Sequence, residues 1–343
     1  MKIGYGSGIK IYKEIALLHL IGASMILACH FFQKENIAPL GELFISGVPL
    51  FLFISGFLSG LKNGNYQKWL IKRAIRILIP FFLWVIPCMV ILWINDHVLI
   101  SKGQVFFILT NMQGLNYIYW KSELYSSVVG FGHLWFTTVI MVCYLLVPIF
   151  NKLVNISFKN KTWIIIMCIM ILIVQPCLTQ IGIQSSYIIT FFLGYLISKK
   201  GCVITNKLLI NLSFLMFIVT LLRFILMRII DGSNYYDRYF ALISAATIGI
   251  WIFFMMFWIS SKRPVLVQYI SKKNWIAYLS NISFEIYIVH YWFLEGKWQI
   301  AKYISNVIFS DFIVVIITII FASVLHFVSQ KLVSLINYRM KVT

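Results

Sequence analysis

The 343-residue chain is 61% apolar and 17% aromatic, with 11% charged residues and a formal net charge of +19; its mean hydropathy is +0.90. A soluble domain carries about 25% charged residues and disordered chains are poor in aromatics, so both classes are excluded. A charge of +19 fits either a nucleic-acid binder or the loop asymmetry of a membrane protein, and the placement of the charges separates the two.

Apolar stretches of bilayer-spanning length, about 17–25 residues each, recur along the chain and predict an all-α polytopic membrane bundle. Ten fall near 14–33, 43–61, 77–96, 133–150, 162–178, 186–198, 208–230, 238–259, 275–294 and 311–336. The sixth is short, so tilt or partner helices must cover the mismatch. No repeat of fixed period and no low-complexity stretch occurs, and residues 1–343 read as one domain. With the N-terminus in the cytoplasm, 21 cations and one acid fall inside, seven cations and eight acids fall outside, and Arg223 and Glu285 lie within spans. An excess on one face is what the positive-inside rule requires. Both termini are therefore expected in the cytoplasm, and no nucleic-acid module is indicated. Lys10 and Lys13 ahead of Ile26-Leu27-Ala28-Cys29 faintly resemble a lipoprotein signal. Leu27 within the box and His19 within the run favour an uncleaved first span. The six cysteines form neither a CxxC pair nor a metal-ligand spacing, so no disulfide framework and no metal site are expected.

Polar groups inside lipid are costly unless they face the bundle or a wet cavity, so they are the candidates for function. His19 and His30 of the first span are eleven residues apart, which places them about 20° from one helical stripe and about 16 Å apart along it. Such histidines either hydrogen-bond neighbouring helices or, near their unperturbed pKa, accept a proton. In the second span Gly56 and Gly60, beside Ser55 and Ser59, have the spacing that lets backbones approach. Arg73 and Arg76, in the loop ahead of Pro80, share a helix face at i, i+3. They serve topology, or their guanidinium forks grip a phosphate-bearing ligand. The loop from about 97 to 132 is long and aromatic, suited to covering a site or dipping into the membrane surface. It leads into Gly132-His133-Leu134-Trp135-Phe136, whose His133 and Trp135 also suit interfacial anchors. The ninth span carries Ser283, Glu285, Tyr287 and His290. Glu285 needs a partner in mid-membrane, and Arg223 of the seventh span is the expected cation. His326 of the last span reads as structural, with no partner visible in the sequence.

Taken in order, these segments resemble the acyltransferase 3 family of integral membrane O-acyltransferases. The resemblance rests on the first-span His, the block Val48-Pro49-Leu50-Phe51-Leu52-Phe53-Ile54-Ser55-Gly56-Phe57, the Arg73-x-x-Arg76 pair with Pro80, and His133-Leu134-Trp135-Phe136. It continues through Tyr144-Leu145-Leu146-Val147-Pro148, Phe192-Leu193-Gly194-Tyr195 and Ser283-Phe284-Glu285-Ile286-Tyr287-Ile288-Val289-His290, and covers about 14–336. It implies transfer of an acyl group, usually acetyl, from cytoplasmic acyl-CoA to a sugar hydroxyl of a surface polysaccharide or its lipid-linked precursor, with no bound cofactor. By resemblance His30 takes the acceptor's proton or serves as nucleophile, and Arg73 and Arg76 engage the CoA phosphates. Ser55, His133, Trp135, Glu285, Tyr287 and His290 are implied to support the acceptor or the fold. The chain departs from the family at His19, where an Arg is common. The other classes that ten spans with buried His, Arg and Glu suit are an exporter of polysaccharide or lipid-linked sugar, and a non-catalytic helper in glycan assembly. The paired Arg and the lack of an evident inverted repeat favour the enzyme.

Overall fold

In the computed structural model, which describes residues 2–4, 12–35, 37–62, 64–96, 102–115, 131–159, 185–229 and 234–342, the apolar stretches fold as helices. In chain order these are α1 (Tyr12–Lys34), α2 (Ala38–Phe44), α3 (Gly47–Gly60), α4 (Tyr66–Asp96), α5 (Lys102–Leu109), α6 (Trp135–Leu145) and α7 (Val147–Lys159). They continue with α8 (Ser185–Lys200), α9 (Asn206–Ile229), α10 (Asn234–Lys262), α11 (Pro264–Ser271), α12 (Asn274–Asn281), α13 (Ser283–Leu294) and α14 (Val307–Val342). Two short strands, β1 (Lys2–Ile3) and β2 (Cys202–Val203), pair antiparallel, with Lys2 opposite Val203 and Ile3 opposite Cys202; the all-α expectation did not include them.

Among the described residues six helical stretches are long and apolar enough to cross a membrane, at Lys13–Lys34, Leu40–Gly60, Tyr66–Ile94, Asn206–Ile225, Ala241–Lys262 and Val307–Arg339. The pair α6 and α7, bent by 48° at Leu146, makes a seventh if counted as one span. Pro148 explains the break, because it offers no N–H to the carbonyl of Tyr144. Set against the ten stretches of the sequence, 162–178 lies outside the described residues. α8 is a helix of 16 residues, and 275–294 is divided at Ile282 into α12 and α13. The third stretch starts earlier than expected, so Arg73 and Arg76 stand within α4 and not in a loop.

The chain divides into two compact units, Met1–Asn63 with Val142–Asn281, and Gly64–Met141 with Ile282–Thr343. In the first, α3 is the central helix, and α1, α8 and α10 pack against it. Glycines set this closeness. A Cβ on Gly56 would run into the backbone of Phe191 in α8, and one on Gly194 into the Phe53 carbonyl of α3. The Gly56–Gly60 pair thus has the packing role its spacing suggested. On the other side of α3, Phe53 and Phe57 meet Phe253 at 4.7 and 5.2 Å between ring centroids. At that range aromatic edges and faces attract beyond their buried area.

The α9–α10 hairpin in this unit is held by a ladder of side-chain hydrogen bonds. Trp258 Nε1 donates to Asn206 Oδ1 at 2.9 Å, Trp251 Nε1 donates to Ser213 Oγ at 2.8 Å, and the hydroxyls of Thr220 and Ser244 meet at 3.1 Å. The partners step by seven residues up one helix and down the other, which is the spacing of an antiparallel heptad seam.

In the second unit α14 packs on α4 and α13. Trp84 of α4 lies edge-on to Trp292 of α13 and to Phe321 of α14, at 6.4 and 6.0 Å. α4 contains Pro80 and Pro87; Pro80 has no N–H for the carbonyl of Arg76. Part of the long loop is ordered by side chains. Thr138 Oγ1 donates to the Asn111 carbonyl at 2.8 Å and receives Gly114 N–H at 3.0 Å, while Asn111 Nδ2 donates to the Thr137 carbonyl at 3.2 Å. Asn111 takes φ 53° there, a left-handed conformation that Asn tolerates better than most residues.

Candidate functional site

The polar residues singled out in the sequence fall into three groups. In the first unit, α1 runs unbroken past both histidines, so His19 and His30 do share a stripe. His30 is half-buried near the end of the helix, with Nδ1 3.1 Å from Gln33 Oε1. An amide oxygen accepts only, so Nδ1 carries the hydrogen and the lone pair of the ring sits on Nε2. Gln33 is one turn further along α1, and the helical repeat alone brings the two side chains together. His19 is held differently, its ring stacked on Phe51 of α3 at 5.7 Å and 26°. Ser55 is half-buried on α3, and its carbonyl accepts the Ser59 hydroxyl at 2.6 Å.

In the second unit Arg73 and Arg76 lie on the early turns of α4, Arg73 half-buried and Arg76 exposed. The Arg73 guanidinium stands 6.0 Å from the Trp69 ring centroid, within cation–π range. This contact holds the stem of Arg73 while its planar fork keeps the shape that matches a phosphate.

His133, Tyr287 and His290 come together in the second unit. His133 sits in the turn Gly132–Leu134 ahead of α6, and the other two sit on α13. His133 Nε2–H donates to the Ile288 carbonyl at 3.0 Å, and the Tyr287 hydroxyl donates to the His133 carbonyl. His290 Nδ1–H donates to the Tyr287 carbonyl at 2.8 Å. The His133 ring lies 4.9 Å from those of both His290 and Tyr291. Both imidazoles are buried. Each has one N–H committed to a main-chain carbonyl, Nε2–H of His133 and Nδ1–H of His290. These bonds fasten the turn before α6 to α13. Trp135, next in the chain, is half-buried and touches Phe136 at 6.5 Å. The ring contacts of His133 run through Tyr287, His290 and Tyr291.

Two pairings differ from expectation. Glu285, for which Arg223 was the expected partner, pairs with His326 of α14, Nδ1 to Oε1 at 2.9 Å. Arg223 pairs with Glu42 of α2, the Arg side chain being 4% exposed and the Glu 28%. The physical reason is proximity. Arg223 of α9 and Glu42 of α2 lie within one unit, and Glu285 of α13 packs beside His326 of α14 within the other. Each buried charge still has a partner, as low dielectric demands. His326 is therefore no isolated structural histidine. No local sequence signal links positions 41 residues apart, and none flagged Tyr291, whose hydroxyl donates to Glu295 Oε2 at 2.6 Å.

The model of a family described as an acyltransferase domain (Acyl_transf_3) matches residues 12–327 of the chain. No curated protein and no solved structure matches it.

Proposed function

The chain belongs to this acyltransferase family, and from that membership we propose that it moves an acetyl group from acetyl-CoA to a sugar hydroxyl of a surface polysaccharide or its lipid-linked precursor. The observation that carries the mechanism is the bond between His30 Nδ1 and Gln33 Oε1. It suits the tautomer in which Nε2 accepts a proton. In the proposed reaction the acceptor O–H gives its proton to His30 Nε2 as the oxygen attacks the thioester carbonyl. The C–S bond then breaks, and the departing CoA thiolate takes up a proton. In the covalent variant Nε2 itself attacks, the C–S bond breaks and CoA thiolate leaves as an acyl-imidazole forms, and the sugar hydroxyl then takes the acyl group while its proton passes to the released imidazole.

Arg73 and Arg76 are proposed to hold the phosphates of the donor. Their spacing presents two forks on one helix face, and an arginine held beside Trp69 loses less freedom on binding than a mobile one. The proposed setting is a bacterial cytoplasmic membrane with both termini in the cytoplasm, which supplies acyl-CoA to the side that carries this pair. His133, Tyr287 and His290, with Ser55, Trp135 and Glu285, are proposed to support the acceptor region or the fold. A basic group at His19 in place of the family's Arg makes that position titratable and not permanently charged.

The test is transfer of label from acetyl-CoA to purified surface glycan. His30→Ala is expected to abolish transfer at unchanged expression. Arg73→Ala/Arg76→Ala is expected to raise KM for the donor and to remove any thermal stabilisation by CoA. Full activity of well-expressed His30→Ala would overturn the assignment.

A further inference from the structure

A span was expected to begin at about 275, after a cytoplasmic loop, yet the segment between α10 and α13 forms two eight-residue helices, α11 and α12. Both are two-faced. Val267 and Ile276 are buried against Leu17 of α1, with Met256 and Ile259 of α10 packed around them. The opposite face exposes Val265 at 80%, Tyr269 and Trp275 at 61%, and Tyr278 at 46%. Interleaved with these are the exposed cations Lys262, Arg263, Lys272 and Lys273, the last with Nζ 4.4 Å from the Tyr269 ring centroid. No acid occurs between Asp237 and Glu285. Glu14 of α1, the helix on which both short helices pack, is turned inward and accepts the Ser260 hydroxyl. The exposed side of the hairpin is thus aromatic and purely basic.

Neither bulk water nor hydrocarbon suits such a face. Water leaves the large apolar rings unburied, and hydrocarbon leaves four cations without counter-charge. The headgroup layer suits both, because aromatic rings and snorkelling Lys and Arg side chains concentrate there. The geometry points to α11–α12 as an interfacial hairpin that binds anionic phospholipid headgroups, with Tyr269, Trp275 and Tyr278 seated at the level of the glycerol backbone. Charge complementarity selects the acidic lipid, because a zwitterionic headgroup offers no net attraction to four cations. On the topology proposed above, the occupied leaflet is the cytoplasmic one.

The test uses the full chain in nanodiscs that contain equal mole fractions of doxyl-labelled phosphatidylglycerol or doxyl-labelled phosphatidylcholine. The fluorescence of Trp275 is taken as the difference between wild type and Trp275→Phe. Quenching is expected to be about threefold stronger with the anionic lipid, and equal for the two lipids in Lys272→Gln/Lys273→Gln or at about 1 M salt, where the Debye length is about 3 Å. Both substituted lysines are exposed, so the variant keeps the fold. Equal quenching in the wild type overturns the proposal, and so does the absence of quenching by either lipid. Loss of the preference on adding inorganic pyrophosphate reassigns the face to a soluble anion. Crosslinking of Trp275→Cys to a second chain in place of quenching reassigns it to a protein contact. The readout needs no acyl transfer, so its failure is distinct from failure of the acetyltransferase reading.

Discussion

In the proposed mechanism the Gln33 amide sets how His30 would act, since a base is useful only while its lone pair stays on the nitrogen turned to the proton it takes. Gln33→Leu is expected to lower kcat about tenfold, about 1.4 kcal/mol, with little change in KM for the donor. Initial rates with labelled acetyl-CoA check this, and an unchanged kcat would remove Gln33 from the mechanism. The pairs Arg223–Glu42 and His326–Glu285, each with one buried and one partly exposed member, give a second residue-scale prediction. Breaking either by loss of one partner should cost about 3 kcal/mol. The swap Arg223→Glu with Glu42→Arg is expected to recover the folded yield that each single change loses. The swap Arg223→Glu with Glu285→Arg is expected to recover none, as is fitting for residues that have other partners. Fluorescence-detected size exclusion of the detergent-solubilised chain reads both outcomes.

Among the elements, the contrast between α3 and α9 is physical. α3 is gripped through its backbone, and Gly56 has no room for a methyl group. Gly56→Ala is expected to abolish the folded form. Gly64→Ala, in open space at φ 110°, should cost only about 1 kcal/mol of backbone strain. α9 is held instead by the polar rungs at Asn206, Ser213 and Thr220, only 11% of its apolar window being buried. Ser213→Val leaves the Trp251 N–H without its acceptor, and a drop of about 1 kcal/mol in thermal stability in lipid is expected. These elements show what a sequence can reveal. The helical periods of α1, α3 and α4 and the small residues at 56 and 60 are local patterns, so they were readable. The seven-residue ladder was not, because it becomes visible only when two helices are laid side by side. The same holds for Glu285, where a demand for a cation was legible but its identity depended on which helix lies alongside. At the site, local motifs marked His30 and the pair Arg73 and Arg76. The convergence of His133 with Tyr287 and His290 spans more than 150 residues, and no periodicity could announce it.

At the scale of the whole molecule, the +19 charge is read as an address and not as an affinity for nucleic acid. Single cysteines placed at Gly64, Lys272 and Arg339 in a cysteine-less chain are expected to react with a membrane-impermeant maleimide only from the cytoplasmic side. One at Thr110 should react only from outside. The opposite pattern at any of these positions would invert the proposed topology. One small feature bears on the same question without any charge being counted. β1 and β2 lie about 200 residues apart in sequence, yet Lys2 and Ile3 pair backbone to backbone with Val203 and Cys202. Two strands that touch must share one side of a bilayer, so the intervening chain can cross only an even number of times. The bond also sets an order of events during synthesis. Lys2 and Ile3 are made long before Val203 and Cys202, so this pairing forms only after α8 is complete.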